Sequence, residues 1–456
     1  MTGSRKKPTR SPFKTCSMNI TYQDTLSESK KRFEDLFNLF EQQLNGKREQ
    51  PLHQFRLAAM DKFRELEFPT RRTEDWKYTP VSSILQLPLQ EGAAFPASEA
   101  TLDTVSIPDA LTIVLANGEM QSTIPALPEG LTVLPVEAAI RDERFAPWIT
   151  ATLEGALAGS AHPFTPLNLA FARNGLFIHV ADNAVIEKPV QVIMMNGAGD
   201  SAFVNPQLLV KSGRNSQFQL IESYAGEGES ASIANALNRF YLDENARVVH
   251  YKWQQEGSES FQIHQTEVRQ ERDSVYTAYT LDLGGRLVRN NLDAIHLGQG
   301  VHTDFYGVYI ADGEQHIDNH TFLDHALPNC TSNELYKGII TGKGTGVFNG
   351  KVIVRQDAQK TNAFQQNSTL VLSPTATMDS KPQLEIFADD VRCSHGATIG
   401  QLDESAVFYL RSRGLDKDQA RALLQHAFVM EALETVPLEA VRDRMEENIV
   451  QKLMRV

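Results

Sequence analysis

Apolar side chains recur every three or four residues near the start of the chain, a spacing that predicts two amphipathic helices. The first stripe ends at Leu44; the second follows Pro51, a residue favoured in the first turn of a helix, and stops before Pro69. The stripes consist of Leu26, Phe33, Leu36, Phe37, Phe40 and Leu44, and of Leu52, Phe55, Ala59, Met60, Phe63 and Leu66. We expect a helical hairpin within an N-terminal helical and mixed region over residues 24–165.

Short runs of β-branched and aromatic residues, separated by Gly, Asn and Asp, fill the chain from about Pro166 to Gly400 and predict strands. No helix-length amphipathic pattern lies between these runs, which argues against βαβ crossovers. We therefore expect a β core over residues 166–402. Six of the predicted strands are Leu176–Val180, Val190–Met194, Gln207–Lys211, Phe218–Glu222, Arg247–Lys252 and Val275–Thr280.

Glycines at predicted turns recur through this region at intervals of 27 to 31 residues. A period in this range is typical of solenoids and propellers, and it is short for a propeller blade of about 40 residues. The spacing therefore favours the stacked coils of a β-helix. Because some regular spacing arises by chance among 28 glycines, another all-β arrangement stays open on this ground alone. The glycines are Gly199, Gly226, Gly257, Gly284, Gly313 and Gly342.

The chain returns to helical spacing near its C-terminal end. Asp416 is a candidate N-cap because Gln419 follows three residues later, the spacing of a capping box. A second helix is predicted to begin at Pro437. The two apolar stripes are Ala420, Leu423, Leu424, Ala427 and Phe428, and Leu438, Val441, Met445, Ile449 and Leu453. We expect a C-terminal helical region over residues 403–456 that either caps the β core or binds a partner.

Composition and charge narrow the classes of partner. The chain has 456 residues, with 44 Lys and Arg against 57 Asp and Glu, which gives a net charge of −13. This acidity argues against general nucleic-acid binding, because a protein needs basic residues to neutralise phosphates. No apolar run approaches the roughly 18 residues that a membrane span requires. We expect neither nucleic acid nor membrane as a partner.

The cysteines and the N-terminal residues bear on the compartment. Cys16, Cys330 and Cys393 lie far apart and form neither a disulfide framework nor a C-x-x-C pair, which fits a reducing compartment such as the cytoplasm. Residues 1–23 carry five basic side chains and no acidic one. We expect a flexible basic tail there, with Met18 as an alternative start. A transit peptide has a similar composition but also an apolar face, which this segment lacks.

The sequence lacks the motifs of the common enzyme classes. The segment Gly342–Lys351 resembles a phosphate-binding loop, but Thr345 stands where that motif needs Gly, and Val352 where it needs Ser or Thr. No G-x-S-x-G, H-E-x-x-H or helix-opening G-x-G-x-x-G pattern occurs. A β-helical carbohydrate-active enzyme needs two cooperating carboxylates. The pairs Asp243-Glu244 and Asp389-Asp390 are adjacent, so their side chains would point to opposite faces of a strand.

Five of the twelve histidines fall in one segment, with Cys330 close behind it, which raises the question of a metal site. On a strand, His316 and His320 share one face while His325 takes the other. We therefore favour structural histidines with satisfied hydrogen bonds, and keep a metal site as the alternative. The five are His296, His302, His316, His320 and His325.

A second concentration of polar residues ends the β core. Cys393 and His395 stand two residues apart and would share one face of a strand. A thiol beside an imidazole can bind iron or zinc. An iron–sulfur cluster normally takes four ligands, so a cluster here would need ligands from another chain. The alternative is that Cys393 packs as a small apolar residue beside a His395 that hydrogen-bonds the neighbouring coil.

These residues belong to a set of motifs that resembles the SufB/SufD family of the SUF iron–sulfur cluster assembly system. The resemblance covers nearly everything after about residue 20. Within the family the chain is similar to the SufD type, because its N-terminal part holds only Cys16 and its core ends in Cys393-Ser394-His395-Gly396. The matching segments are Arg72–Thr79, Glu334–Gly338, Asn367–Leu370, Lys381–Ile386, Ala388–Thr398 and Phe408–Gly414.

The resemblance implies a mainly β fold, with a right-handed parallel β-helix between N-terminal and C-terminal helical regions, and a scaffold without catalysis of its own. SufD-type chains pair with SufB through the β-helix and bind the ATPase SufC through their C-terminal helices. The complex builds a transient iron–sulfur cluster and passes it on.

The resemblance also assigns site residues. The histidine that the family uses in cluster assembly at the SufB interface corresponds to His395, here a candidate metal ligand shared with the partner chain. Cys393 belongs to the same motif. Family complexes can carry reduced FAD; since this sequence has no flavin motif, FAD is expected in the complex only. The alternative function is a structural β-helical homodimer without a direct cluster role, because exposed strand edges pair readily.

Overall fold

The structure is a computed structural model that describes residues 22–44, 48, 50–93, 95–173, 175–197, 201–227 and 231–455. The predicted basic tail lies outside the described residues apart from its last two, and Cys16 and Gly199 lie outside as well. The two predicted N-terminal helices are confirmed as the first two of the described helices. The α-helices that the structure describes are α1 (Tyr22–Gln43), α2 (Pro51–Glu65), α3 (Ser82–Leu85), α4 (Glu99–Val105), α5 (Val136–Ala139), α6 (Ala146–Ala158), α7 (Phe164–Ala170), α8 (Glu404–Ser412), α9 (Lys417–Met430) and α10 (Glu439–Leu453).

The strands make up most of the middle of the chain, and all six strands named from the sequence are present. They are β1 (Gln90–Glu91), β2 (Leu111–Ala116), β3 (Glu119–Met120), β4 (Leu131–Pro135), β5 (Leu176–Val180), β6 (Val190–Gly197), β7 (Ala202–Val204), β8 (Gln207–Ser212), β9 (Gln217–Glu227), β10 (Ser232–Leu242), β11 (Arg247–Gln255), β12 (Ser260–Gln270), β13 (Val275–Asp282), β14 (Leu287–His296), β15 (His302–Ala311), β16 (His316–His325), β17 (Thr331–Ile340), β18 (Thr345–Val354), β19 (Asn362–Val371), β20 (Thr377–Ser380), β21 (Gln383–Ile386) and β22 (Arg392–Gly400).

Successive strands alternate between two sheets, so that each coil of the chain adds one strand to each sheet. The first sheet runs in the order β20-β18-β16-β14-β12-β10-β8-β5-β4, and β21 also pairs with β18. The second sheet runs in the order β22-β19-β17-β15-β13-β11-β9-β6-β2-β3. Strands of successive coils pair parallel, whereas β4 and β3 join the sheets antiparallel at the N-terminal end. The expected fold class, mainly β with a parallel β-helix between helical regions, is confirmed.

The register explains the interval between the turn glycines. Phe305, Glu334, Gln365 and His395 are direct partners in successive coils, so one coil takes 29 to 31 residues. The turns stack as closely as the strands do. Gly342 has a φ of +59°, and a Cβ at this position would lie 2.8 Å from the backbone nitrogen of Gly313 in the turn of the preceding coil. Glycine is required there because any other side chain would strain the turn and separate the two coils.

The space between the two sheets is filled by apolar side chains that stack coil upon coil. Val192, Leu220 and Phe305 are fully buried in this core, as are Ile317 and Ile340. The outer faces of the sheets are covered too: α1, α2, α6 and α7 contribute to an apolar layer on the first sheet, and α8, α9 and α10 to one on the second. Most strands are therefore buried on both faces.

The C-terminal helices lie along the side of the second sheet. The predicted capping box is present, since the Asp416 side chain accepts from the Gln419 backbone N–H at 2.8 Å and the Gln419 side chain accepts from the Asp416 backbone N–H at 3.1 Å. Polar contacts add to the apolar packing: Lys337 pairs with Glu431 at 2.6 Å, and the Tyr279 hydroxyl donates to the Thr435 carbonyl at 2.7 Å. Among the described residues, no helix is both long and apolar enough to cross a bilayer.

Candidate functional site

The last coil of the β-helix ends in an exposed strand. β22 pairs with β19 on one side only and forms the terminal strand of the second sheet. Seven of its nine residues are exposed and the other two are half-buried, in contrast with the buried strands further in. Its free edge carries backbone N–H and C=O groups that have no strand partner among the described residues, and such an edge readily accepts a strand from another chain.

Cys393 and His395 lie on the face of β22 that continues the inner columns of the core. Cys393 is in register with Ala363 and packs against the inner apolar cluster. His395 is in register with the buried Gln365. The thiol of Cys393 is half-buried, and this burial raises its pKa. The imidazole of His395 is exposed and makes no hydrogen bond to a described residue. The two side chains can thus offer a sulfur and a nitrogen ligand on one side of an uncovered strand.

A buried polar chain continues inward from His395. Gln365 donates from Nε2 to the Glu334 carboxyl at 3.1 Å, and Thr321 donates from Oγ1 to the same carboxyl at 2.5 Å. Burial raises the pKa of Glu334 to about 7, against the smaller opposing effect of these two hydrogen bonds. The Oε1 atom of Gln365 is buried and unpartnered in the described chain. Glu334 therefore holds a proton close to neutral pH behind the exposed histidine.

Sequence reasoning named Glu334 only as part of a family motif and did not single out Gln365. One signal for both was present in the spacing. Glu334, Gln365 and His395 follow one another at one coil period each, so polar residues one period apart were candidates to stack in a single column.

A larger polar cluster lies deeper in the β-helix. The Glu222 carboxylate contacts His250 at 3.1 Å and His264 at 3.0 Å, and Asn238 donates to it at 2.7 Å. Burial alone would raise the pKa of Glu222, but the two imidazoles and their hydrogen bonds hold it well below its usual range. The cluster is fully buried, and neither composition nor periodicity indicated it.

The five histidines of the predicted cluster divide into separate environments. His302 contacts Asp304 at 2.7 Å, and this hydrogen bond raises its pKa. His320 contacts Asp318 at 3.0 Å, and His316 shares a hydrogen bond with Thr79 at 3.0 Å. These three match the preferred interpretation of satisfied structural histidines. The remaining two, His296 and His325, lie together with Cys330.

Two family models together match most of the chain. The family model for the SUF system FeS cluster assembly SufBD core domain matches residues 193–428, and the model for the SufBD protein N-terminal region matches residues 27–192.

Three curated proteins match most of the chain. An iron–sulfur cluster assembly SufBD family protein of Synechocystis is 32% identical over 411 residues, which cover 86% of this chain and 89% of that protein. The chloroplastic protein ABCI7 of Arabidopsis thaliana is 30% identical, covering 88% of this chain and 86% of that protein. The iron–sulfur cluster assembly protein SufD of Escherichia coli is 29% identical, covering 84% and 89%.

Proposed function

This chain belongs to the SufBD family of the SUF iron–sulfur cluster assembly system, and we propose that it is a non-catalytic scaffold subunit of a SufB–SufC–SufD complex that assembles clusters and supplies them to target proteins. The observation that carries the proposal is the uncovered last coil, on whose inward face Cys393 and His395 stand side by side. Because this site ends at a free strand edge, a second chain can pair with β22 and complete the site.

The partner at this edge is a SufB-like subunit that pairs through the β-helix. One thiol and one imidazole are too few for a cluster, which normally takes four ligands. The partner must therefore supply the others, and the cluster is a transient cargo shared between the two chains. His395 aids assembly at the interface as a ligand for the incoming metal, and Cys393 stands behind it, half-buried. We assign reduced FAD to the assembled complex and not to this chain alone.

The C-terminal helices are the proposed docking surface for the SufC-like ATPase. Phe408 and Tyr409 on α8 are 72% and 56% exposed, and Leu423 on α9 is 47% exposed. Large apolar side chains that are exposed in this way on neighbouring helices are typical of protein interfaces.

The same helices connect to the site through a short segment. Only Gln401, Leu402 and Asp403 separate the end of β22 from the start of α8. A movement of α8 when the ATPase dimerises would therefore act directly on the strand that carries His395, and the hydrogen-bonded coils behind it are stiff. Opening of the SufB interface by this movement is a two-state change biased by a ligand bound elsewhere.

Co-expression with the candidate SufB and SufC subunits, followed by purification through one tag, tests the proposal. We expect a stoichiometric complex that gains iron and sulfide on anaerobic reconstitution. His395→Ala should leave the complex intact and abolish iron and sulfide incorporation. Ser394→Ala is the matched control, because Ser394 is exposed on the opposite face of the same strand. Normal incorporation in the His395→Ala complex would contradict the role of His395.

The second candidate function is a structural homodimer, which the free edge of β22 also favours because it could pair with a second copy. A chain that forms only homodimers in the co-expression experiment would support this function.

We place the working protein in the cytoplasm, since both described cysteines are free thiols and thiols persist in reducing compartments.

A further inference from the structure

Two histidines and a cysteine meet at one corner of the β-helix, two coils before the last coil. His296 ends β14 and His325 ends β16, and the two are direct partners in the register. Cys330 lies just before β17. One potential ligand atom from each of these residues lies within 4.8 Å of the others, and all three residues are fully buried. The two imidazole rings are 4.4 Å apart between centroids and nearly perpendicular.

The hydrogen bonds fix which nitrogen of His296 carries the proton. The Thr303 hydroxyl donates its single proton to Gln270 Oε1 at 2.7 Å. Thr303 must therefore accept at its oxygen from the Nε2–H of His296, which lies 2.9 Å away. In a neutral imidazole the other nitrogen then carries a lone pair, so Nδ1 of His296 is an available metal ligand.

His325 repeats this arrangement one coil further along. Its Nε2 lies 2.9 Å from the Ser332 hydroxyl, seven residues later, just as Nε2 of His296 lies against Thr303. Burial lowers the pKa of both histidines, to about 4 for His325, so both rings are neutral. Nδ1 of each ring is buried and has no hydrogen-bond partner among the described residues.

The thiol of Cys330 is also weakly engaged. The thiol lies 3.4 Å from the Gly298 carbonyl and 3.6 Å from the Pro328 carbonyl, and the backbone N–H groups of Gly300 and Val301 also hydrogen-bond its sulfur. A buried polar atom without a partner costs free energy, and here two imidazole rings with unpartnered Nδ1 atoms lie beside a weakly engaged thiol in one buried corner. A cation would satisfy all three at once.

We propose that His296, His325 and Cys330 form a binding site for one borderline-soft divalent transition-metal ion of the Zn²⁺ class. Two neutral imidazole nitrogens and a thiolate suit such an ion. Binding forms one metal–sulfur and two metal–nitrogen bonds and releases the thiol proton to solvent. With metal–nitrogen distances of about 2.0–2.1 Å and a metal–sulfur distance of about 2.3 Å, the three groups must draw together, and water fills the fourth position.

The Nε2 hydrogen bonds to Thr303 and Ser332 would then hold the rings in place, as outer partners of metal-bound histidines do. The bound ion would tie the coil of β14 and β15 to the coil of β16 and β17. This site is separate from Cys393 and His395, which lie two coils further along. The proposal does not depend on the assembly function.

Titration of the reduced, chelator-stripped full-length protein with Co²⁺ and Zn²⁺ tests the proposal. We expect one equivalent of Co²⁺ to give thiolate charge-transfer and tetrahedral d–d absorption, and Zn²⁺ to displace it. Cys330→Ser and His325→Gln should each lose more than about tenfold in affinity, because even partners outside the ligand shell are worth roughly 10–100-fold.

One control separates this site from neighbouring groups. His302→Gln removes a histidine of the same segment that contacts Asp304 instead. This variant should bind as the unaltered protein does. Absence of the Co²⁺ thiolate band, or equal affinity in Cys330→Ser, would overturn the proposal and leave the three residues as packing.

A measurement on the unaltered protein covers the case in which the variants do not fold. Alkylation of Cys330 in mild denaturant, followed by peptide mass spectrometry, should slow at least tenfold when Zn²⁺ is present. Cys393 in the same sample is the internal reference and should be protected less than Cys330, because Cys393 and His395 supply only two ligands where Zn²⁺ sites in proteins usually have three or four. Equal protection of both cysteines, or protection of neither, would count against a site at Cys330.

Discussion

Replacing Glu334 by Gln should remove a pH-dependent cost that this buried carboxyl imposes on folding. The pKa of Glu334 is about 7 in the folded chain, against an ordinary value of 4.5. Between these values the folded state holds a proton that the unfolded state releases, so stability falls as pH rises through this range and levels off above it. Each pKa unit corresponds to about 1.4 kcal/mol, so the cost is about 2 kcal/mol at pH 6 and about 3 kcal/mol at pH 8.

A glutamine resembles the protonated carboxyl, because it keeps an oxygen that can accept from Gln365 or Thr321 and never ionises. We therefore expect Glu334→Gln to gain stability relative to the unaltered protein, and to gain about 1 kcal/mol more at pH 8 than at pH 6. Urea unfolding at the two pH values, with the free energy of unfolding extrapolated to water, measures this difference.

The control is Glu314→Gln, which removes a negative charge whose side chain is 68% exposed and faces Lys343. Its effect on stability should be small and the same at both pH values. A stability difference between Glu334→Gln and the unaltered protein that is equal at pH 6 and pH 8 would refute the argument, since Glu334 would then ionise in the folded state as it does in the unfolded one.

Two further predictions concern packing and capping. Gly307→Ala should destabilise the β-helix by about 1–3 kcal/mol, because the new Cβ would lie 2.2 Å from the Tyr336 ring in the next coil. Thermal melting measures the effect, with Gly400→Ala as the control because its new Cβ would meet nothing within 4 Å. Equal melting temperatures for the two variants would contradict the prediction. Asp416→Ala should lower the free energy of unfolding by about 1 kcal/mol, because it removes the N-cap of α9. Amide hydrogen exchange at the first turn of α9 should become faster, while exchange in β17 stays unchanged. Exchange in α9 at the rate of the unaltered protein would show that the cap contributes nothing.

The positions of the strands could be predicted from the sequence because each run of β-branched and aromatic residues is bounded by turn residues. β5 was predicted at its observed limits, and the N-cap of α9 followed from Asp416 and Gln419 alone. These signals are local. A strand or a cap depends on residues within a few positions of one another, so single-sequence patterns suffice.

The polar interior could not be predicted in the same way. Helices cover the outer faces of both sheets, so most strands are buried on both sides and lose the alternation that tells the inward face from the outward one. The contact between Gln365 and Glu334 also depends on the register of coils about 30 residues apart, which periodicity of single strands does not reveal. For the same reason, the alternation within a strand predicted that His316 and His320 share one face and that His325 takes the other. It did not predict the contact between His296 and His325.

The two ends of the β-helix differ in how readily they can pair with a strand of another chain. At the N-terminal end the second sheet finishes in the two-residue strand β3 and the first in β4, which carries Pro135. Short edges and proline discourage further pairing. Among the strands that the structure describes, only β22 offers a long free edge in its sheet. If strands pair between chains at one end of the β-helix only, two chains can join but a filament cannot grow. The fold that exposes its last coil to a partner therefore also limits the risk of fibrous aggregation that open parallel sheets carry.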